Sequence, residues 1–249
     1  MDARKFLIAN WKMNPQTYEE AELLVSRTVD AIGGGAQRVV LCAPFPWLTD
    51  FSHIIKTVAW GAQDVFWKAA GAFTGEVSPA MLKNSGVSYV ILGHSERRKN
   101  VNETDEMVNK KIQASLEAGL TPILCVGEWT RTTLDDAKRF VEDQLTKDLE
   151  NISGVERVIV TYEPVWAIST NKGAVADTPE NAHEMIMYIK GLLDTKFRTK
   201  NCKVIYGGSV NSKNIAGFLK YDEIEGFLIG GASLIPEEMG KMYVMSTTK

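Results

Sequence analysis

Val158-Ile159-Val160-Thr161-Tyr162-Glu163-Pro164-Val165-Trp166-Ala167-Ile168-Ser169-Thr170-Asn171-Lys172 is the stretch from which the rest of the chain can be read. Its first five residues are β-branched or aromatic, a run of strand length. Pro164 lacks the N–H that a ladder needs, so the strand stops at Glu163 and leaves a carboxylate at its tip. Beyond it, Val165, Trp166, Ala167 and Ile168 form an apolar segment too short for a helix and bounded by small polar residues. A base beneath a lid has this pattern; so does a charged strand end before an ordinary loop.

Working outward, strand-like runs alternate with amphipathic ones. The strands fall at Lys5–Trp11, Arg38–Ala43, Thr57–Gln63, Ser88–Leu92, Thr121–Val126, Arg157–Tyr162, Lys203–Tyr206 and Gly226–Ile229. Helical spacing predicts Thr17–Ala31, Pro46–Ile55, Pro79–Asn84, Asp105–Ala118, Asp135–Asn151, Pro179–Thr199, Ser212–Leu219 and Pro236–Met245. Ser78-Pro79 and Thr178-Pro179 each set a hydroxyl cap before a proline at the first helical position. Gly33-Gly34-Gly35 and Gly119 stand where helices need a left-handed end. Several strands are nearly all apolar, as parallel strands buried on both faces should be. Eight strand–helix units without a linker predict a single α/β domain over residues 1–249, a (β/α)8 barrel of eight parallel strands. An open doubly wound sheet is the alternative, but no Gly-x-Gly-x-x-Gly follows the first strand.

Composition narrows the partners. A formal net charge of −3 leaves no broad basic surface, which argues against nucleic acid; a small anion needs only one or two local cations. No apolar run is long enough to span a membrane, and Met1-Asp2-Ala3-Arg4-Lys5 leads into a strand rather than a signal segment. Ser246-Thr247-Thr248-Lys249 carries no lipidation or retention signal. Cys42, Cys125 and Cys202 are odd in number, far apart and free of any CxxC pair, the usage of reduced thiols rather than of a disulfide frame or zinc site. The expectation is a cytoplasmic protein with neither a membrane nor a nucleic-acid partner.

In a barrel of this kind the C-terminal strand ends face the active site. The first strand ends Ile8-Ala9-Asn10-Trp11-Lys12, and period-two alternation puts Asn10 and Lys12 on one face. Lys12 is then either a solvated cation or one that neutralises an anion. The fourth strand runs into Leu92-Gly93-His94-Ser95-Glu96-Arg97-Arg98, where a polar cluster opens a helix. His94 suits proton transfer or carbonyl polarisation, or else caps local backbone. Glu96, Arg97 and Arg98 read as an internal ion-pair network or as a solvated run. His53 and His183 fall inside helical patterns and read as structural; Cys125 reads as a small buried apolar residue. Tyr206-Gly207-Gly208-Ser209-Val210 and Leu228-Ile229-Gly230-Gly231-Ala232-Ser233 end the last two strands with glycine pairs that let backbone N–H groups approach an anion. Loops at these positions of a barrel frequently bind phosphate.

Taken together, Asn10-Trp11-Lys12-Met13-Asn14, Gly71-Ala72-Phe73-Thr74-Gly75-Glu76, Leu92–Arg98, Tyr162–Ile168, Tyr206–Val210 and Gly230-Gly231-Ala232-Ser233-Leu234 resemble the signatures of the triosephosphate isomerase family, in family order and from end to end of the chain. The resemblance implies a TIM barrel that interconverts dihydroxyacetone phosphate and D-glyceraldehyde 3-phosphate in glycolysis and gluconeogenesis, without metal or cofactor. That enzyme is itself a standard case of a carboxylate base paired with a neutral histidine. By the resemblance Glu163 is the base, His94 the neutral electrophile, Lys12 the charge that offsets phosphate and enediolate, and Asn10 a further polar contact. Ser95 and Glu96 support them; Ser209, Gly230, Gly231 and the backbone at Ser169 hold phosphate. The lid is Pro164, Val165, Trp166, Ala167, Ile168, Ser169, Thr170, Asn171 and Lys172, whose closure excludes water.

The loop from Val65 to Gly75 carries Phe66, Trp67 and Phe73, an apolar set that suggests an interface. In the family this loop enters a neighbouring subunit, with the residue matching Thr74 near the partner's site, so a homodimer is expected. Another barrel phosphosugar isomerase or lyase, or a catalytically weak relative kept as a binding protein, are the competing readings. Three residues depart from the family pattern: Ser169 and Asn171 stand where glycines are usual, and Thr161 where a smaller residue is common. Serine and asparagine have less backbone freedom than glycine, so the expected effect falls on lid opening and closing rather than on the chemical step.

Overall fold

The computed structural model describes residues 5–33, 36–168 and 173–247, so Ser169, Thr170, Asn171 and Lys172 of the expected lid lie outside the described residues. Eight parallel strands close in sequence order into a barrel: β1 (Phe6–Asn10), β2 (Ala36–Cys42), β3 (Val58–Ala62), β4 (Tyr89–Leu92), β5 (Thr121–Val126), β6 (Ile159–Tyr162), β7 (Lys203–Tyr206) and β8 (Gly226–Ile229). The seam is an ordinary parallel pair, with Phe6 opposite Gly226 and Ala9 opposite Ile229. Helices α1 (Tyr18–Ile32), α2 (Phe45–Ile54), α3 (Pro79–Asn84), α4 (Ser95–Asn100), α5 (Asp105–Glu117), α6 (Leu134–Asp148), α7 (Pro179–Thr195), α8 (Ile215–Phe218) and α9 (Pro236–Thr247) connect them.

Strand alternation sorts the apolar residues into two cores. Ile8, Val40, Cys42, Ile91, Ile123, Cys125, Ile159, Ile205 and Leu228 fill the inside of the barrel. Their neighbours Leu7, Ala9, Leu124, Val126, Val160 and Tyr162 point outward and belong to the larger core that includes helix residues such as Val25, Ile112 and Ile186. The parity set by Ile159 continues inward through Thr161 to Glu163, and that set by Ile8 continues through Asn10. Side chains at the strand tips therefore reach the barrel mouth for the same geometric reason that isoleucines fill its middle.

The expected caps are present: Ser78 accepts from Met81 N–H and Thr178 from Asn181 N–H, and Gly33 ends α1 at φ 76°. Most element ends shift by one to three residues from expectation, and two helices are shortened for a local reason. The predicted helix Ser212–Leu219 shrinks to Ile215–Phe218 because Asn214 and Asn211 side chains accept from the amides of Asn211 and Lys213, offering that backbone an alternative to a helical turn. The helix predicted to Thr199 stops at Thr195, where Thr199 N–H bonds back to Leu193 C=O and Arg198 takes φ 54°. Val165–Ala167, too short for an α-helix, forms a single 3₁₀ turn.

Beneath the mouth lies a buried ion cluster. Lys111 of α5 bonds to Asp64 Oδ1 at 2.6 Å and to Glu103, and Arg97 reaches Asp64 at 2.7 Å and Glu103 at 3.2 Å. Arg98 pairs with Asp105 and with Asp148, the latter at 2.8 Å. The Glu96–Arg98 run is thus an internal network, but its partners come from elsewhere rather than from its own members: carboxylates for the two arginines and Lys12 for Glu96. Cys42, Cys125 and Cys202 are buried free thiols. His183 bonds to Glu223 at 3.2 Å and stacks on Tyr221. No helix among the described residues is long and apolar enough to cross a membrane.

Candidate active site

Glu163 leaves the tip of β6 and is buried to 2% exposure. Its carboxylate takes three bonds: from Ser95 N–H at 3.0 Å, from the Ser95 hydroxyl at 3.1 Å, and from His94 Nε2 at 3.0 Å. His94 arrives there through Gly93, whose φ of 68° interrupts the alternation of β4 and turns the ring across the mouth. A side chain at Gly93 would also crowd the Arg98 guanidinium, so both the turn and the close approach require glycine.

Of the two uses weighed for His94, the backbone cap is seen on Nδ1, and it leaves Nε2 free to face the cavity. Nδ1 accepts from Glu96 N–H at 3.2 Å and so caps α4, while Nε2 faces Glu163. An Nδ1 that accepts carries no proton, which fits the neutral Nε2–H tautomer.

Lys12 lies just beyond β1 with φ 54°, an uncommon conformation for a non-glycine residue, and its N–H donates to Asn10 Oδ1 at 3.0 Å. Its ammonium meets Glu96 Oε1 at 2.5 Å. The loops after β7 and β8 complete the mouth. Gly207, Gly208 and Ser209 face Gly230 and Gly231 across a cavity of about 470 Å3 that Asn10, Lys12, His94 and Glu163 also line. That is room for a small ligand, with Lys12, His94, Glu163 and open backbone converging on it, and Lys213 and Glu238 among the other lining residues. Among the described residues no cluster of histidine, cysteine and carboxylate side chains could hold a metal ion. Ser169, Thr170, Asn171 and Lys172 lie outside the described residues; Asn10, Lys12, His94, Glu163, Ser209, Gly230 and Gly231 line one cavity, with Ser95 on Glu163 and Glu96 on Lys12, while Phe73 and Thr74 lie on an exposed loop.

The described start of the expected lid is anchored by Glu128. Glu128 Oε1 accepts from Tyr162 OH at 3.0 Å and from Trp166 Nε1 at 2.6 Å, while Val165 and Ile168 are buried against the barrel. Val175 N–H donates to Trp166 C=O at 3.1 Å, joining the described residues that flank positions 169–172. Thr161 sits wholly buried with its methyl beside Gly207.

Burial pushes the Glu163 carboxyl up, but the charge and bond of His94 and the two Ser95 donors outweigh it and hold it below the ordinary 4.5. For His94 burial acts downward, and Glu163 with Glu96 reverses it, raising the imidazole above its ordinary 6.5. The signs set two windows. The Glu163 contribution to stability is present above 4.5 and lost as pH falls through the lowered value; the His94 contribution is present below 6.5 and lost as pH rises through the raised one. Urea midpoints of the wild type and of Glu163→Gln are therefore expected to converge as pH falls below 4.5 and to differ most between the windows. A constant difference from pH 6 to pH 3 would contradict the pairing.

Two residues that shape the site escaped sequence reasoning. Glu128 follows Gly127 just beyond β5, and its place in the sequence carries no chemical signal. Gly127 has a stricter role: a Cβ there would collide with the Glu163 carbonyl. Gly127→Ala is expected to displace the tip of β6, costing about 1–3 kcal/mol in chemical denaturation through overpacking. A misplacement of about an ångström is also expected to lower kcat roughly a hundredfold. Unchanged stability and turnover would show that the tip can yield.

The family model described as triosephosphate isomerase matches residues 5–245. The chain is 41% identical over 249 residues to the triosephosphate isomerase of Caldanaerobacter subterraneus subsp. tengcongensis, covering 96% of this chain and 98% of that one. It is 41% identical over 243 residues to that of Dictyoglomus thermophilum, covering 94% and 96%. The crystal structure of triosephosphate isomerase from Bartonella henselae superposes with a TM-score of 0.82 at 30% identity, over 97% of this chain and 98% of that one. With the barrel and its mouth as described, this chain belongs to the triosephosphate isomerase family.

Proposed function

We propose that the chain interconverts dihydroxyacetone phosphate and D-glyceraldehyde 3-phosphate by proton transfer through an enediol(ate), as a glycolytic and gluconeogenic isomerase of the cytoplasm built on one catalytic domain over residues 1–249. The observation that carries this is the meeting of Glu163, His94 and Lys12 in one cavity with the glycine loops after β7 and β8. Glu163 takes a proton from one carbon of the substrate and returns it to the adjacent one; a placed base of this kind is typically worth about 10²–10⁴-fold. His94 donates from Nε2 to the substrate oxygens, polarising the carbonyl and stabilising the enediolate.

Because Glu96 N–H donates to His94 Nδ1, that nitrogen carries no proton, and the ring meets the substrate as the neutral Nε2–H form. Lys12 offsets negative charge, assisted by Asn10, while Glu96 and Ser95 hold Lys12, His94 and Glu163 in place before substrate arrives. Backbone N–H groups at Gly230, Gly231, Ser209 and Ser169 take the phosphate. The lid from Pro164 to Lys172 closes over it.

A coupled assay with purified protein and D-glyceraldehyde 3-phosphate is expected to show isomerisation; its absence would overturn the proposal. We also propose a homodimer. Phe66 packs on Trp67 and Phe73 with ring centroids 4.1 and 4.7 Å apart, yet Phe73 stays 42% exposed and Thr74 beside it is exposed. A projecting apolar loop of this kind is stabilised by a partner. Light scattering after size exclusion should give twice the chain mass of 27.6 kDa, and the monomer mass would refute it.

A further inference from the structure

The two glycine loops that face each other across the mouth are joined by one side chain. Glu238, in the first turn of α9, turns both carboxylate oxygens on Ser212: Oε2 accepts from Ser212 N–H at 2.8 Å and Oε1 from its hydroxyl at 2.9 Å. Ser212 belongs to the loop after β7, residues 207–214, and α9 follows directly on the loop after β8, residues 230–235. Inside the first loop the bonds are local. Asn214 Oδ1 accepts from Asn211 N–H and its Nδ2 donates to Ser209 C=O, both at 2.9 Å. These bonds give the loop a shape but do not place it. Among the described residues no other hydrogen bond joins residues 207–214 to residues 230–238.

Glu238 stands on a fixed element. Met239 beside it and Met242 are wholly buried, and Gly240 packs so closely on α1 that a Cβ there would meet the Ala31 carbonyl. Glu238 also lines the mouth cavity, where a carboxylate repels an anion. Its charge therefore does not explain its place; a two-point tie that sets one loop against the other does. The Ser212 N–H and hydroxyl hold its carboxyl below the ordinary 4.5, so the tie is ionised at neutral pH.

We propose that Glu238 is a positioning residue for phosphate: through Ser212 it holds the loop after β7 against the loop after β8, so that Ser209, Gly230 and Gly231 present their N–H groups together. It acts through Ser212 and not on the ligand. The inference rests on the phosphate reading of the cavity. Without the tie, the loop is ordered only at the moment of binding, and that cost is subtracted from affinity. A phosphate held alike before and during proton transfer puts the loss on KM more than on kcat.

Titration calorimetry with glycerol 3-phosphate reads the effect without turnover. Glu238→Ala is expected to bind roughly tenfold more weakly than the wild type, and Ser212→Ala, which keeps the amide bond, to lose less. Glu238→Gln should bind within about twofold of the wild type, because its amide oxygen can accept from Ser212 N–H while its NH2 donates to the hydroxyl. The KM for D-glyceraldehyde 3-phosphate should rise in the same order, with kcat changed by less. Wild-type affinity in Glu238→Ala, with or without a lowered melting temperature, would overturn the proposal. So would a Glu238→Gln as weak as Glu238→Ala, which would assign the effect to charge rather than to the tie. Failure of the phosphate reading shows differently, as an absence of glycerol 3-phosphate binding in the wild type, and would overturn both.

Discussion

Glu163→Asp is expected to fold as the wild type does and to lose roughly a hundredfold in kcat, because the carboxylate retreats by one methylene from the position its neighbours define, and an ångström of misplacement costs about that much. The backbone at this position is fixed independently of the side chain: Glu163 N–H donates to Val126 C=O at 2.8 Å, and its carbonyl presses on Gly127. The shortened acid therefore cannot be carried forward by a small shift of the strand. Glu163→Gln should lose more, since it keeps the reach and removes the base. Coupled kinetics measure the loss, and thermal melts by circular dichroism separate it from unfolding. Near wild-type turnover in Glu163→Asp would remove this residue from the role of base.

Lys111→Met is expected to cost about 3–5 kcal/mol in chemical denaturation, the range for breaking a buried ion pair and leaving its charges uncompensated. Lys111 is 4% exposed, with Asp64 and Glu103 both on its ammonium. Without it two buried carboxylates share Arg97 alone. The loss should reach the site as well. Glu103 Oε2 accepts from Gly93 N–H at 3.1 Å, and Gly93 is the turn that aims His94. A variant that combines Lys111→Met with Asp64→Asn should recover part of the stability by removing one stranded charge. If Lys111→Met alone melts with the wild type, the cluster is not a stabilising one.

The strand tips were legible because one rule, period-two alternation ending at a proline or glycine, places Asn10, Lys12 and Glu163 without knowledge of packing. The glycine pairs were legible for a similar reason, since their chemistry is local. What sequence could not supply was pairing across distance. Arg97 and Arg98 looked like one charge run, yet their partners lie at Asp64, Glu103, Asp105 and Asp148, on three separate stretches of chain. His94 offered capping or catalysis as rivals, and only the ring geometry shows that the cap on Nδ1 leaves Nε2 toward Glu163. Gly127 looked like any strand-end glycine until the Glu163 carbonyl was found against it. The helix expected from Ser212 failed because two asparagines formed local turns, a competition that periodicity does not register.

Cys42 and Cys125 sit in the inner layer of the barrel, with 0% and 1% exposure, and burial pushes both thiols well above their usual pKa. Burial likewise pushes Cys202, beneath the outer helices, up to about 12. A thiol in either place is sealed from alkylating reagents until strands part, since thiolate and access are both needed for reaction. The two inner cysteines are thus built-in reporters of barrel opening. Their iodoacetamide labelling under native conditions should follow the rare global openings of the fold rather than local fraying. The same labelling should accelerate in Lys111→Met in proportion to its lost stability, which turns the quietest residues of the chain into its chemical clock.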